Sequence, residues 1–191
     1  MKRSFLFLAP GFEEIEALTV VDVMRRAGMD IKTVSILSDA MVTGAHGIPV
    51  KADLLFNGTD FNNVEWLIIP GGLPGTTNLA AYAPLCTLLK DHHANNGKIA
   101  AICAAPAMML GPLGIIDGRE CTGYPGTQKL AGKGIWRDAP VIALDTLITG
   151  NGPASALRFA LAIVTNSLGE TAAQEIGSGM LYYPKSMNFY F

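Results

Sequence analysis

Cys103 closes the run Lys98-Ile99-Ala100-Ala101-Ile102-Cys103-Ala104-Ala105-Pro106, a setting that gives a thiol the means to act as a nucleophile. Ile99 to Ile102 are all apolar, which predicts a short strand buried on both faces. Ala104 to Leu110 predict a helix with Pro106 in its first turn, where a missing N–H costs nothing. Cys103 therefore sits at a sharp strand-to-helix corner, flanked by the small residues Ala101 and Ala105. This cysteine nucleophile elbow follows the logic of G-x-S-x-G, rewritten as Ala-x-Cys-x-Ala. Unpaired amides at a helix start carry partial positive charge and favour a thiolate. Free cysteine also serves commonly as a small buried hydrophobe, and the local pattern leaves both readings open.

Glu16 is the second informative group. A helix is expected from about Glu14 to Ala27, with Arg25 and Arg26 in its last turn and Gly28 closing it. At about 100° per residue, Glu16, Val20, Val23 and Ala27 share one stripe, with Ala17 and Met24 beside it. Thr19, Asp22 and Arg26 mark the solvated side, and Glu14 is expected to point away from the stripe. A carboxyl group on a buried face holds its proton to higher pH and, when protonated, can donate to a thiolate. The alternative is that acidic residues merely favour a helix start. That accounts for Glu13 and Glu14 but not for the side on which Glu16 falls. Ile15 and Leu18 are apolar on the polar side, which suggests a homodimer contact through this helix.

The elements that must hold these groups alternate strand with helix. Strands are expected at Ser4–Leu8, Ile31–Leu37, Val64–Ile69 and Ile99–Ile102, with a short strand or hairpin at Ile48–Ala52. Leu79 to His92 reads as a helix, Glu120 to Gly123 as a strand, and Val141–Leu144 with Leu147–Thr149 as a hairpin. Gly152-Pro153 opens a helix to about Leu168, and a short helical stretch follows near Ala172 to Ile176. Such alternation predicts an α/β fold with a mainly parallel sheet. Sites in these folds lie beyond the carboxyl ends of the strands, so the loops 10–16, 70–75 and 103–106 should converge.

The 191 residues fit one domain, 1–191, with no internal repeat or linker. Half the residues are apolar and the net charge is −2, which lacks the basic footprint of a nucleic-acid partner. Cys86, Cys103 and Cys121 are odd in number and irregularly spaced, against a disulfide framework or a zinc knuckle. The apolar stretch before Pro10-Gly11 is too short for a signal peptide. The uncharged run Ile99–Ile116 is broken by Pro106, Gly111, Pro112 and Gly114, so no membrane span is expected. A cytoplasmic location follows as an expectation. Gly126 to Lys133 mimics a P-loop, but five residues separate its glycines and Gly134 replaces the required Ser or Thr.

The stretches Gly11-Phe12-Glu13-Glu14-Ile15-Glu16 and Asp22-Val23-Met24-Arg25-Arg26-Ala27-Gly28 resemble the ThiJ/PfpI superfamily. So do Pro70-Gly71-Gly72, Ala100 to Pro106 and Gly152-Pro153. The likeness extends to about Tyr183 and is to the branch of the parkinsonism-associated protein deglycase (DJ-one-like) and its bacterial relatives. Residues 186–191 look like a C-terminal extension. The resemblance implies a flavodoxin-like three-layer sandwich and a homodimer. It also implies Cys103 as nucleophile and redox-sensitive thiol, Glu16 as its protonated partner, and the amides of Gly72 and Ala104 as an oxyanion-type pocket. Family activities include cofactor-independent glyoxalase, deglycation of early glycation adducts and protection from oxidative stress. The partners implied are a small-molecule carbonyl substrate or a glycated protein, with no cofactor or metal.

Two positions depart from the pattern. Tyr124 stands where animal members carry a histidine near the thiol; its hydroxyl can orient a carbonyl but is a poor base near pH 7. His46 stands where relatives often have arginine. Cysteine peptidases of the superfamily need a histidine directly after the cysteine, here Ala104, and glutamine amidotransferases need one well after it. His46, His92 and His93 all precede Cys103, so both Cys–His mechanisms lack their base. A thiazole-monophosphate-biosynthesis role has no supporting residues. The remaining rival is a non-enzymatic redox sensor or chaperone working through oxidation of Cys103.

Overall fold

Successive side chains of a strand point to opposite faces, and in β1 (Arg3–Leu8) Phe5 and Phe7 enter one layer while Leu6 and Leu8 enter the other. Burial on both sides is why the strands read as continuous apolar runs. The structure is a computed structural model that describes residues 2–182. The expected extension 186–191 and the aromatic residues Tyr183 and Phe189-Tyr190-Phe191 lie outside the described residues.

After β1 come α1 (Glu14–Arg26), β2 (Ile31–Ser35), β3 (Met41–Thr43), β4 (Pro49–Lys51), β5 (Leu54–Leu55) and β6 (Val64–Ile69). Helices α2 (Gly75–Ala81) and α3 (Ala83–Ala94) lead to β7 (Lys98–Ile102), β8 (Glu120–Cys121) and β9 (Ile135–Trp136). The last elements are β10 (Val141–Ala143), β11 (Leu147–Gly150), α4 (Ala156–Leu168) and α5 (Glu170–Gly179). The main sheet has seven strands in the order β10-β11-β7-β6-β1-β2-β5, parallel except for the β10–β11 hairpin. One face is covered by α1 and α4 through Val20, Val23, Met24, Phe159 and Ile163. The other carries α2 and α3 through Leu79, Leu85 and Leu89, with Met109 and Leu110 beside them. Trp66 Nε1–H donates to Ser167 Oγ at 2.8 Å and pins α4 to the sheet. These layers make the α/β fold with a mainly parallel sheet that the strand–helix alternation predicts, and the flavodoxin-like sandwich that the family resemblance implies.

Three local expectations change. The helix expected over Leu79–His92 is two helices, broken at Tyr82, whose ψ is 92°. Pro84 has no N–H to donate and its ring would press on the carbonyl of Ala80 in a continuous helix. The helix expected over Ala104–Leu110 is a single π turn, Pro106–Leu110, with Gly111 N–H reaching Pro106 C=O at 3.0 Å. Pro112 cannot carry the ladder onward, and the chain leaves through turns. The strand expected over Glu120–Gly123 is only Glu120–Cys121, in a separate two-stranded sheet with β9. Ile48–Ala52 supplies β4, whose hairpin partner β3 went unread in the sequence.

Candidate active site

The carboxyl ends of β1, β6, β7 and β11 meet through backbone hydrogen bonds that leave little freedom. Glu13 N–H donates to Gly71 C=O at 3.0 Å, joining the β1 and β6 loops. Cys103 N–H donates to Gly150 C=O at 2.9 Å, and Tyr124 N–H donates to Cys103 C=O at 2.7 Å. Cys103 itself is held at φ +64°. A non-glycine residue in that region costs on the order of 1–3 kcal/mol, and the surrounding bonds hold it there.

Glu16 arrives on α1, whose first turn is capped by the Glu13 carboxylate accepting Glu16 N–H at 2.6 Å. Its side chain is fully buried. Gly71 N–H donates to Glu16 Oε2 at 2.7 Å. Oε1 is buried with no N–H or O–H partner, and the carboxyl's other interaction is with the Cys103 side chain. Gly71 has to lack a side chain for this to work. A Cβ there would lie 2.5 Å from Cys103 Cβ, 2.6 Å from Glu16 Oε2 and 3.0 Å from Cys103 Sγ.

Burial raises the Glu16 carboxyl to about 7; the hydrogen bonds from Cys103 and Gly71 oppose the rise and the charge of Glu13 adds to it. Burial also pushes the Cys103 thiol up to about 12, helped by the Glu16 charge and hydrogen bond, against the Gly72 and Ala104 amides that lower it. The sequence expectation of a thiolate held by a helix start is therefore too simple. The following helix is one turn, and burial outweighs what two amides give back. The group that can reverse the balance is Glu16. Once neutral, it no longer repels negative charge on sulfur and can donate to it.

Of the residues singled out in the sequence, Cys103, Glu16 and the amides of Gly72 and Ala104 come together. Tyr124 joins them by its backbone. Its side chain is 49% exposed and its ring packs beside Gly152. Thr122 N–H donates to the buried Thr149 Oγ1 at 2.9 Å, fixing the Thr122-Gly123-Tyr124 loop to β11. His92 Nε2–H donates to Lys98 C=O at 3.1 Å, at the start of β7, and Cys103 follows the other end of that strand. Glu14 does not point into solvent as the helical wheel suggests. It is 5% exposed because the β3–β4 hairpin folds over it, and Gly44 has no room there for a side chain.

His46 lies in that hairpin. Its N–H donates to Glu14 Oε1 and its Nδ1 meets Glu14 Oε2, both at 2.8 Å. Burial pushes Glu14 up, but the His46 bonds outweigh it and hold the carboxyl below its ordinary value. The Glu14 hydrogen bond and charge hold His46 above its ordinary value. Glu13, Glu14 and His46 bring ligand-type atoms within 4.8 Å of one another. Those atoms are engaged in an ion pair and a helix cap rather than aimed at a shared point.

A profile of the DJ-1/PfpI family matches residues 2–166. The chain belongs to the DJ-1/PfpI family. Among its DJ-1/PfpI relatives, the Parkinson disease protein 7 homolog of Danio rerio is 32% identical over 184 residues, covering 94% of this chain and 97% of that one. A Caenorhabditis elegans relative named glutathione-independent glyoxalase DJR-1.2 is 34% identical over 166 residues, covering 85% of this chain and 88% of its own. The chain spans about half the length of the two Arabidopsis thaliana DJ-1 homologs, 47% and 42%. The solved structure of oxidized Toxoplasma gondii DJ-1 superposes with a TM-score of 0.91 at 31% identity, covering 95% of this chain and 99% of that one.

Sequence reading of this DJ-1/PfpI chain missed Gly71 and Glu13 as working parts of the site. Gly71 lay in view within Pro70-Gly71-Gly72, where a glycine at a strand end signals close approach. Glu13 preceded the helix and so occupied the capping position, although Ser, Thr, Asp or Asn would have been the stronger signal.

Proposed function

We propose that this protein is a cysteine-dependent, cofactor-independent enzyme for reactive dicarbonyls, of glyoxalase type. The observation that carries the reading is the fully buried Glu16 carboxyl, raised to about 7 and engaged with Cys103 at its strained corner. The name of the Caenorhabditis elegans relative supports the same reaction class. The Cys103 thiolate adds to the aldehyde carbon of methylglyoxal, and the resulting alkoxide takes a proton to give a hemithioacetal. Glu16 as carboxylate removes the hydrogen from that carbon, and a proton is returned at the neighbouring carbon. One carbon is oxidised and its neighbour reduced, so no outside oxidant enters. Water then cleaves the thioester, releasing lactate and the thiol. The amides of Gly72 and Ala104 stabilise the oxyanions. Early glycation adducts, which carry related carbonyl chemistry, are the second substrate class and would give a deglycase.

Ile15 and Leu18 are 57% and 38% exposed on α1, which supports a homodimer through that helix. No helix among the described residues is long and apolar enough to cross a membrane.

Lactate formed from methylglyoxal by wild type, Cys103→Ala and Glu16→Ala tests the reading. Product must be followed, because any thiol depletes methylglyoxal reversibly. Many turnovers by wild type, abolished by either substitution, are expected. A wild-type protein that makes no lactate would refute the activity on this substrate. A sensor reading is favoured by the same buried thiol and by the oxidized state in which the Toxoplasma gondii relative was solved. It predicts a single stoichiometric oxidation of Cys103, seen by mass spectrometry, in place of turnover.

A further inference from the structure

Glu13 looks at first like an ordinary helix cap. A serine or aspartate would provide the same acceptor for Glu16 N–H. The surrounding bonds give this residue a second task. Glu16 N–H donates to Glu13 Oε2, Glu13 N–H donates to Gly71 C=O, and Gly71 N–H donates to Glu16 Oε2. These bonds close a ring through three residues, so Glu16 is gripped by backbone and side chain at once. Gly72 tightens the grip: a Cβ on it would fall on the Glu13 backbone nitrogen. Glu13 is only 6% exposed, and its hydrogen bond is spent on a neutral amide rather than a cation.

We propose that Glu13 is a positioning residue that aims the Glu16 carboxyl at Cys103 and sets a fixed negative charge beside it. That charge shifts the proton shared by the pair toward the carboxyl and raises the share of thiolate. This deepens the cysteine-and-carboxyl reading and rests on it. The pair has two arrangements with one proton, thiolate with carboxylic acid or thiol with carboxylate. A negative charge closer to the carboxyl disfavours the second. In keeping with this, the Glu13 charge raises the Glu16 carboxyl. Three groups face the Glu16 carboxyl: Cys103 from the end of β7, the Gly71 amide from the β6 loop, and Glu13 from its own helix start. Beyond them lie Glu14 and His46, and Glu13 also helps to hold His46 up.

Glu13→Gln keeps an acceptor oxygen for the Glu16 amide and removes only the charge; Glu13→Ala removes both. The Glu16 carboxyl is followed by carbon-13 NMR across pH. Alkylation of Cys103 at pH 7 is followed by peptide mass spectrometry, which separates it from Cys86 and Cys121. Glu13→Gln should lower the Glu16 midpoint by about half a pH unit or more and slow Cys103 alkylation about threefold or more. His46→Asn should leave the Glu16 midpoint in place. Coincidence of Glu13→Gln with wild type in both readouts would reduce Glu13 to a cap and overturn the proposal. So would a His46→Asn shift as large as that of Glu13→Gln. A shifted midpoint in a protein that makes no lactate would sink the glyoxalase reading and leave the positioning role standing.

Discussion

Replacing Glu16 by glutamine should change how stability depends on pH, and the structure fixes both the sign and the size. The carboxyl titrates at about 7 folded against an ordinary 4.5, so the folded chain binds this proton more tightly than the unfolded one. Stability from this group is present at low pH and is lost as pH rises from 4.5, the loss being complete above about 7. At about 1.4 kcal/mol for each pH unit, the loss comes to about 3 kcal/mol. Glutamine stays neutral throughout, and its side-chain oxygen can still accept from Gly71 N–H. The difference in unfolding free energy, variant minus wild type, should therefore climb by about 3 kcal/mol from pH 4.5 to pH 7.5. Titrating groups not coupled to Glu16, Glu14, His46, Asp30 and Asp53 among them, are present in both proteins and cancel in the difference. Urea denaturation at a series of pH values and one protein concentration measures it. A difference flat to within about 0.5 kcal/mol would show that Glu16 ionises as freely folded as unfolded, and the reasoning about the buried proton would fail.

Gly71→Ala should destabilise by about 1–3 kcal/mol in the same urea assay and slow Cys103 alkylation, because the new methyl falls between the thiol and the carboxyl. Unchanged stability and reactivity would mean that Gly71 has room to spare. In Glu14→Gln the His46 ring should titrate at lower pH than in wild type by proton NMR, since the partner that holds its proton loses its charge. An unmoved midpoint would remove the ion pair. Ile15→Glu should sediment as a monomer at concentrations where wild type is a dimer, because it puts a charge on an exposed apolar position of α1. A wild type already monomeric at micromolar concentration would rule out that interface.

What the sequence determined by itself was the facing of side chains over short distances. Apolar runs such as Phe5 to Leu8 marked strands buried on two sides, and a helical stripe placed Glu16 toward the interior. The small flanks of Cys103 marked a tight corner. These are consequences of strand and helix periodicity, which any stretch of a few residues carries whole. Tertiary structure decided everything that depends on which loops become neighbours. Gly71 lies 55 residues from Glu16, and only the placing of β1 next to β6 brings its amide to the carboxyl. Glu14 is exposed on a lone helix and buried in the protein, because the β3–β4 hairpin, whose first strand the sequence concealed, lies over it. The protonation of Cys103 was likewise beyond local reading. A helix start can lower a thiol, but how much water is removed from it depends on every layer packed above the corner.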